Sequence, residues 1–302
     1  MDELIDVKDL DPEDIEIIYD TAQEIEDSPS SFDSSLSRKT LLMLFSKPST
    51  RTRVSFETGM TQLGGHAINM TIEQSQMSRG EAIKDTSKVL SRYVDGVMAR
   101  IHDHEELMEF SAHSDTPVIN GLTDKFHPCQ ALSDLYTLRD KGLELEETEI
   151  VFLGDGNNVA QSLIQTSAKL GADVKWSGPQ GEEPESEIIE GSRRIGSETG
   201  SSITVMHDPH HAVQGADVIY TDVFQSMGEE KGREELERFR HYQVDEDLIE
   251  AAGDPYFMHP LPAKRGEEVT AEVLESDNSI VYDQAENRLH VQKAILKELL
   301  SD

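Results

Sequence analysis

The sequence predicts an α/β protein of two domains, each a parallel β-sheet flanked by helices, joined by helices that include the C-terminal one. Two observations carry this. Short apolar runs alternate with helix-period segments, and the alternation occurs twice along the chain. The 302 residues are enough for two domains of ordinary size, and 36% hydrophobic content is enough to build their cores.

In the first series, "TLLMLF" (40–45), "HAINM" (66–70), "GVMARI" (96–101) and "PVINGL" (117–122) read as strands. Helical segments are expected near 51–64, 80–94, 103–114 and 128–141. On the first of these, Phe56, Met60 and Leu63 follow the i, i+4, i+7 spacing of a buried stripe. In the second series, "EIVFLG" (149–154), "ADVKWS" (172–177), "ADVIYTDVF" (216–224), "YFMH" (256–259) and "SIVYD" (279–283) read as strands. Segments near 158–170 and 185–199 read as helices, and "AENRLHVQKAILKELL" is a last amphipathic helix. Stretches 26–37, 177–187 and 225–235 are rich in Ser, Gly or Glu and read as loops. No internal repeat is visible.

Charge narrows the function. Sixty acidic and 27 basic residues leave a formal charge of −33, spread along the whole chain. Such a surface with few lysines fits a protein kept soluble at high salt, where self-repulsion is screened. An ordinary acidic protein is the alternative. Nucleic acid is excluded as a partner, because neutralising phosphates needs a basic face. No run of about 18 apolar residues is present, so no membrane span is expected. The start, "MDELIDVKDLDPED", lacks the apolar core of a secretory signal. Cys129 is the only cysteine, which rules out an internal disulfide and a cysteine-based zinc site. A cytoplasmic protein is expected.

Against this background "SKPSTRTRVSFETG" (46–59) gathers Lys47, Arg51 and Arg53 among hydroxyls. It lies between a strand and a helix. Pro48 suits the helix entry, and Ser49 and Thr50 suit its cap. A helix N-terminus with an adjacent arginine is an anion site. The structural alternative is a capped helix with solvated arginines. The nucleotide-binding pattern G-x-x-x-x-G-K is absent. "GDGNNVA" carries Val159 where the dinucleotide pattern needs a third glycine. The histidines of "HDPHH" (207–211) read as a solvated loop rather than a metal site.

"SKPSTRTRVSFETGMTQLGGHA" resembles the S-x-R-T-R signature of the aspartate/ornithine carbamoyltransferases. Further matches follow in order: "RGEAIKDTSKVLSRYVD", "ARIHDH", "NGLTDKFHPCQALSD", "FLGDGNNVAQSL", "DVFQSMGEE", "HPLPAKRGEEVT" and "DQAENRLHVQKAIL". The resemblance spans nearly the whole chain and is nearest to the ornithine branch. It implies a carbamoyl-phosphate-binding domain at 1–134 plus 284–302 and an ornithine-binding domain at 135–283.

The resemblance also implies roles. Carbamoyl phosphate would lie on Ser49, Thr50, Arg51, Thr52, Arg100, His127, Gln130, Pro260, Leu261 and Arg288, with Gln76 reaching in from a neighbouring subunit of a trimer or an assembly of trimers. Arg100, His127 and Thr52 would be catalytic, stabilising the carbonyl oxygen as carbamoyl transfers to the δ-amine of L-ornithine, giving L-citrulline and phosphate. Asn158, Asp222, Ser226 and Met227 would hold ornithine. The chemistry calls for no cofactor and no metal. Cys129 reads as a buried filler.

One departure keeps alternatives open. Ornithine enzymes of the family read H-C-L-P where this chain has His259-Pro260-Leu261-Pro262. Aspartate enzymes read H-P-L-P. Against that, Asp222 attracts an α-ammonium and would repel a second carboxylate. The readings are therefore an ornithine enzyme, a carbamoyltransferase for aspartate or a polyamine, or a ligand-binding paralogue without turnover.

Overall fold

The computed structural model describes residues 1–225 and 231–301. The chain forms two compact units, Met1–Ser133 with Asn287–Asp302, and Asp134–Glu286. The first contains α1 (Pro12–Asp27), β1 (Thr40–Phe45), α2 (Thr50–Gln62), β2 (His66–Thr71), α3 (Ile83–Leu90), β3 (Gly96–Arg100), α4 (His104–Ala112) and β4 (Val118–Leu122). Helix α5 (Pro128–Asp140) leads out of it. The second contains β5 (Glu149–Leu153), α6 (Asn158–Leu170), β6 (Asp173–Ser177), α7 (Ser186–Thr199), β7 (Ile203–Met206), α8 (Pro209–Ala212), β8 (Val218–Thr221), α9 (Arg233–Phe239), α10 (Glu246–Ala252), β9 (Tyr256–Met258) and α11 (Ala271–Leu274). Helix α12 (Val281–Leu300) returns the chain to the first unit.

Both sheets are parallel, with orders β2-β1-β3-β4 and β7-β6-β5-β8-β9. In the first, the order reverses between β1 and β3, so the loops after these strands diverge. In the second, the reversal falls between β5 and β8. Such points leave a crevice at the carboxyl ends of the strands, the usual ligand position in open α/β sheets. All strands of β1 and β3 are buried or nearly so, as expected where helices cover both faces. Phe56, Met60 and Leu63 are buried as the spacing predicts.

Several local expectations change: α8 to α11 were not anticipated, and α9 opens within the 225–235 stretch read as loop. "SIVYD" makes a single bridge, Ser279 to Phe257, and then opens α12 at Val281. A short β-branched run cannot be assigned by periodicity alone. Here the stripe Val281, Gln284, Arg288, Val291 and Ile295 is buried at helical spacing, and its polar members hid it. Strand β7 was not anticipated, being four residues at a sheet edge of which only Ile203 is buried. Helix α1 was also not anticipated, although Asp11 and Asp14 form a reciprocal capping box and Pro12 occupies the first turn.

Among the described residues no helix is long and apolar enough to cross a membrane. Phe56 fastens α2 to its unit. Replacing it with alanine should cost about 3–5 kcal/mol by leaving a cavity. Chemical denaturation at high salt would measure this, and a cost below about 1 kcal/mol would show that α2 is held otherwise.

Candidate active site

Strand β1 ends at Phe45, and Ser49 takes the N-cap position of α2 with extended backbone, φ −143° and ψ 112°. Its side chain makes no cap hydrogen bond, contrary to the expected capping role. The first-turn amides of a 13-residue helix therefore lack that internal acceptor. Thr50 and Arg51 occupy the same turn.

Thr52, 1% exposed, is the centre of the group. Its hydroxyl oxygen accepts from Arg100 Nη1 at 3.1 Å and from Arg288 Nη2 at 3.0 Å. Arg100 comes from the end of β3 and Arg288 from α12, and both are buried. With both lone pairs engaged, the Thr52 hydroxyl is left to donate its proton. Burial, with Arg288 and then Arg51 nearby, lowers the Arg100 pKa to about 10. Even so, it remains cationic at neutral pH.

His127 and Gln130 lie at the start of α5, both buried. Burial pushes the His127 imidazole well below its ordinary value, and Arg288 and Arg100 push it further. It is thus a neutral ring beside two guanidinium groups. Cys129, fully buried, points its thiol at the Asn120 carbonyl, and burial pushes its pKa up to about 12. It is no nucleophile. Gln76 is exposed, and no described hydrogen bond joins it to the Thr52 group.

In the second unit, the loops after β5 and β8 meet. Asn157 caps α6 through its side-chain oxygen, accepting from the Val159 and Ala160 amides at 3.0 and 3.1 Å. Its amide nitrogen donates to Asp222 Oδ2 at 2.9 Å. Sequence reasoning singled out Asn158, which is the first helical residue and buried, and missed Asn157. The readable signal was an Asn immediately before an apolar helix. Burial raises the Asp222 pKa, and hydrogen bonds from the Val223 amide and Asn157 work against this. Gly156 lets the turn pass close to its neighbour, since a Cβ there would meet the Pro184 nitrogen at 2.2 Å. Lys231 pairs with Asp155 at 2.6 Å and with Glu182 at 3.4 Å. The expectations for Ser226 and Met227 lie outside the described residues.

Pro260 and Leu261 follow β9 and are half-buried. Leu261 adopts φ 56°, a left-handed conformation unusual for a branched residue. Its amide donates to His259 Nδ1 at 2.9 Å, so the ring proton sits on Nε2 and faces Glu268 Oε1 at 3.2 Å. His259 and Glu268 are both fully buried. Among the described residues no three His, Cys, Asp or Glu side chains gather to hold a metal, and His210 and His211 are exposed on α8.

His127 gives a direct check. Its folded pKa is below the unfolded value, so its neutral form is favoured in the fold. Its contribution to stability is complete above about pH 6.5 and is lost as pH falls through the folded value. Imidazole NMR should place its midpoint below the ordinary 6.5. A midpoint at or above that value would contradict the buried, arginine-flanked setting.

The family description "Aspartate/ornithine carbamoyltransferase, carbamoyl-P binding domain" matches residues 2–140, and "Aspartate/ornithine carbamoyltransferase, Asp/Orn binding domain" matches 146–299. The chain is 51% identical over 303 residues to the catabolic ornithine carbamoyltransferase of Halobacterium salinarum, covering 100% of both chains. It is 49% identical to the ornithine carbamoyltransferase of Pyrococcus abyssi, covering 99% of this chain and 95% of that one. Among solved structures, ornithine carbamoyltransferase from Pyrococcus furiosus superposes with a TM-score of 0.95 at 48% identity, covering 99% and 96% of the two chains. The enzyme from Thermus thermophilus superposes with a TM-score of 0.90 at 35% identity, covering 100% and 99%.

Proposed function

The chain belongs to the aspartate/ornithine carbamoyltransferase family, and from that premise we propose that it transfers the carbamoyl group of carbamoyl phosphate to the δ-amine of L-ornithine, releasing L-citrulline and phosphate. The observation that carries this reading is the convergence of Arg100 and Arg288 on Thr52 in a protein of charge −33. Cations gathered there against their mutual repulsion call for an anionic ligand.

The phosphate rests on Ser49, Thr50, Arg51 and Thr52 at the start of α2, with Arg100 and Arg288 beside it. The neutral δ-amine attacks the carbamoyl carbon. A C–N bond forms and the carbonyl oxygen takes up negative charge; as the carbonyl re-forms, the C–O bond to phosphate breaks and the departing phosphate takes the proton lost by the amine. Arg100, the Thr52 hydroxyl and the neutral His127 ring stabilise the oxygen as fixed donors, and Arg51 stabilises the leaving phosphate. Gln130, with the carbonyls of Pro260 and Leu261, holds the carbamoyl NH₂. Orientation of the two substrates supplies much of the remaining acceleration.

Asp222 receives the α-ammonium of ornithine, and Asn158, Ser226 and Met227 receive its other backbone groups. The hydrogen bond from Asn157 supports this by fixing the Asp222 carboxylate in place. The same carboxylate disfavours aspartate as acceptor. Pro260 removes a thiol and an amide donor but leaves its carbonyl. The working assembly is a trimer or an array of trimers in which Gln76 serves a neighbour's site. Its exposure supports this, as do exposed Val54 and Ile68 on the same unit. The reaction is placed in the cytoplasm, since a chain with one cysteine needs no oxidising compartment.

Two substitutions separate the halves of this reading. Arg51→Ala should abolish carbamoyl phosphate binding by calorimetry, and binding retained within about threefold, under about 1 kcal/mol, would remove Arg51 from the site. Asp222→Asn should raise the ornithine KM about tenfold or more and leave carbamoyl phosphate binding unchanged. An unchanged ornithine KM would mean that Asp222 does not meet the ammonium.

A further inference from the structure

Four fully buried polar residues in the second unit form one hydrogen-bonded chain. Tyr220 donates to Asp134 Oδ2 at 2.8 Å, and Gln284 Nε2 donates to Asp134 Oδ1 at 2.8 Å. Gln284 Nε2 also lies 3.1 Å from the Tyr220 hydroxyl. The Gln284 oxygen accepts from the His259 amide at 2.9 Å, and the His259 ring in turn accepts the Leu261 amide. None of the four is itself assigned to substrate, although Asp134, Gln284 and His259 lie in stretches that carry the family resemblance.

Their positions along the chain give the network its meaning. Asp134 continues the buried stripe of α5 that begins with His127 and Gln130, at i+7 and i+4. Gln284 sits one turn before Arg288 on α12. Tyr220 lies two residues before Asp222 at the end of β8. His259 opens the turn that carries Pro260 and Leu261. Each of these elements carries, or leads directly into, a residue assigned to substrate. A buried carboxylate needs full hydrogen bonding to be tolerated, so the side chains around Asp134 accept few alternative placements.

We propose that Asp134, Tyr220 and Gln284 are positioning residues that hold the His259–Pro262 turn, and the helical phase of α5 and α12, in the arrangement used for carbamoyl transfer. The link to catalysis rests on the function proposed above; the hold on the turn does not. The left-handed Leu261 is the element most dependent on this hold, because its conformation is unfavourable unless its surroundings enforce it. Burial, with Asp134 and Asp222 nearby, raises the Tyr220 pKa well above its ordinary value, which keeps the phenol a donor at any working pH.

The test uses the full chain in concentrated KCl with Tyr220→Phe, Gln284→Met and the double variant. Amide hydrogen exchange is read at Leu261, whose own acceptor, His259 Nδ1, is untouched by either change. Exchange there should accelerate about tenfold or more while β5 and β8 stay protected. Citrulline synthesis should lose about tenfold or more in kcat/KM for ornithine, and carbamoyl phosphate should bind about threefold or more less tightly than to wild type, since Pro260 and Leu261 ride on the turn. The double variant should be no worse than Gln284→Met within about twofold, as members of one network are not additive. Unchanged exchange at Leu261 with kinetic constants within about twofold of wild type would overturn the proposal, as would losses that multiply. If the wild-type chain makes no citrulline, the functional reading falls, and the Leu261 exchange still decides whether the network holds the turn.

Discussion

Like charges held together on purpose are the constraint from which the rest of this structure follows. Arg100 and Arg288 both donate to the hydroxyl of Thr52, with Arg51 close enough to lower the Arg100 pKa. Such an arrangement is unfavourable until an anion arrives. Three elements must be placed to build it: the start of α2, the end of β3 and the middle of α12. The parallel sheet supplies the first two, because the chain diverges after β1 and β3 at the reversal of strand order. The return of the C-terminal helix to the first unit supplies the third.

The second unit repeats the architecture with the opposite charge. Its strand order reverses between β5 and β8, and the two loops there bring Asn157 to Asp222. One reversal point thus gathers cations, and the other presents a carboxylate. The chemistry of each half follows from which side chains stand at the ends of central strands, not from the strands themselves.

Much of this was legible in the sequence, and the limits have physical causes. Strand β1 was legible with its true bounds because five apolar residues follow Thr40 and end at Ser46. Helix α6 was read to the residue, since Gly171 ends it in a left-handed conformation. The cationic cluster was visible, and it does lie at a strand-to-helix junction, between β1 and α2. What local pattern could not show was pairing at a distance: Thr52 with Arg288 across 236 positions, and Asn157 with Asp222 across 65. Nor could it show buried polar groups. Gln284 and Asp134 look like surface residues by type, and Gln284 helped disguise the start of α12 as a strand.

Pro260 remains the place where sequence and chemistry pull apart. The turn keeps its histidine, its buried glutamate partner and its left-handed leucine, while the position that usually carries a thiol carries none. If carbonyls at this turn and a fixed Asp222 suffice, the acceptor is set by ammonium recognition rather than by sulfur. The most direct measurement is product formation from carbamoyl phosphate in concentrated KCl with ornithine, aspartate, putrescine and lysine offered separately. Citrulline from ornithine, and no product from the other three, is the predicted result. Turnover with another amine, or with none, would contradict the account.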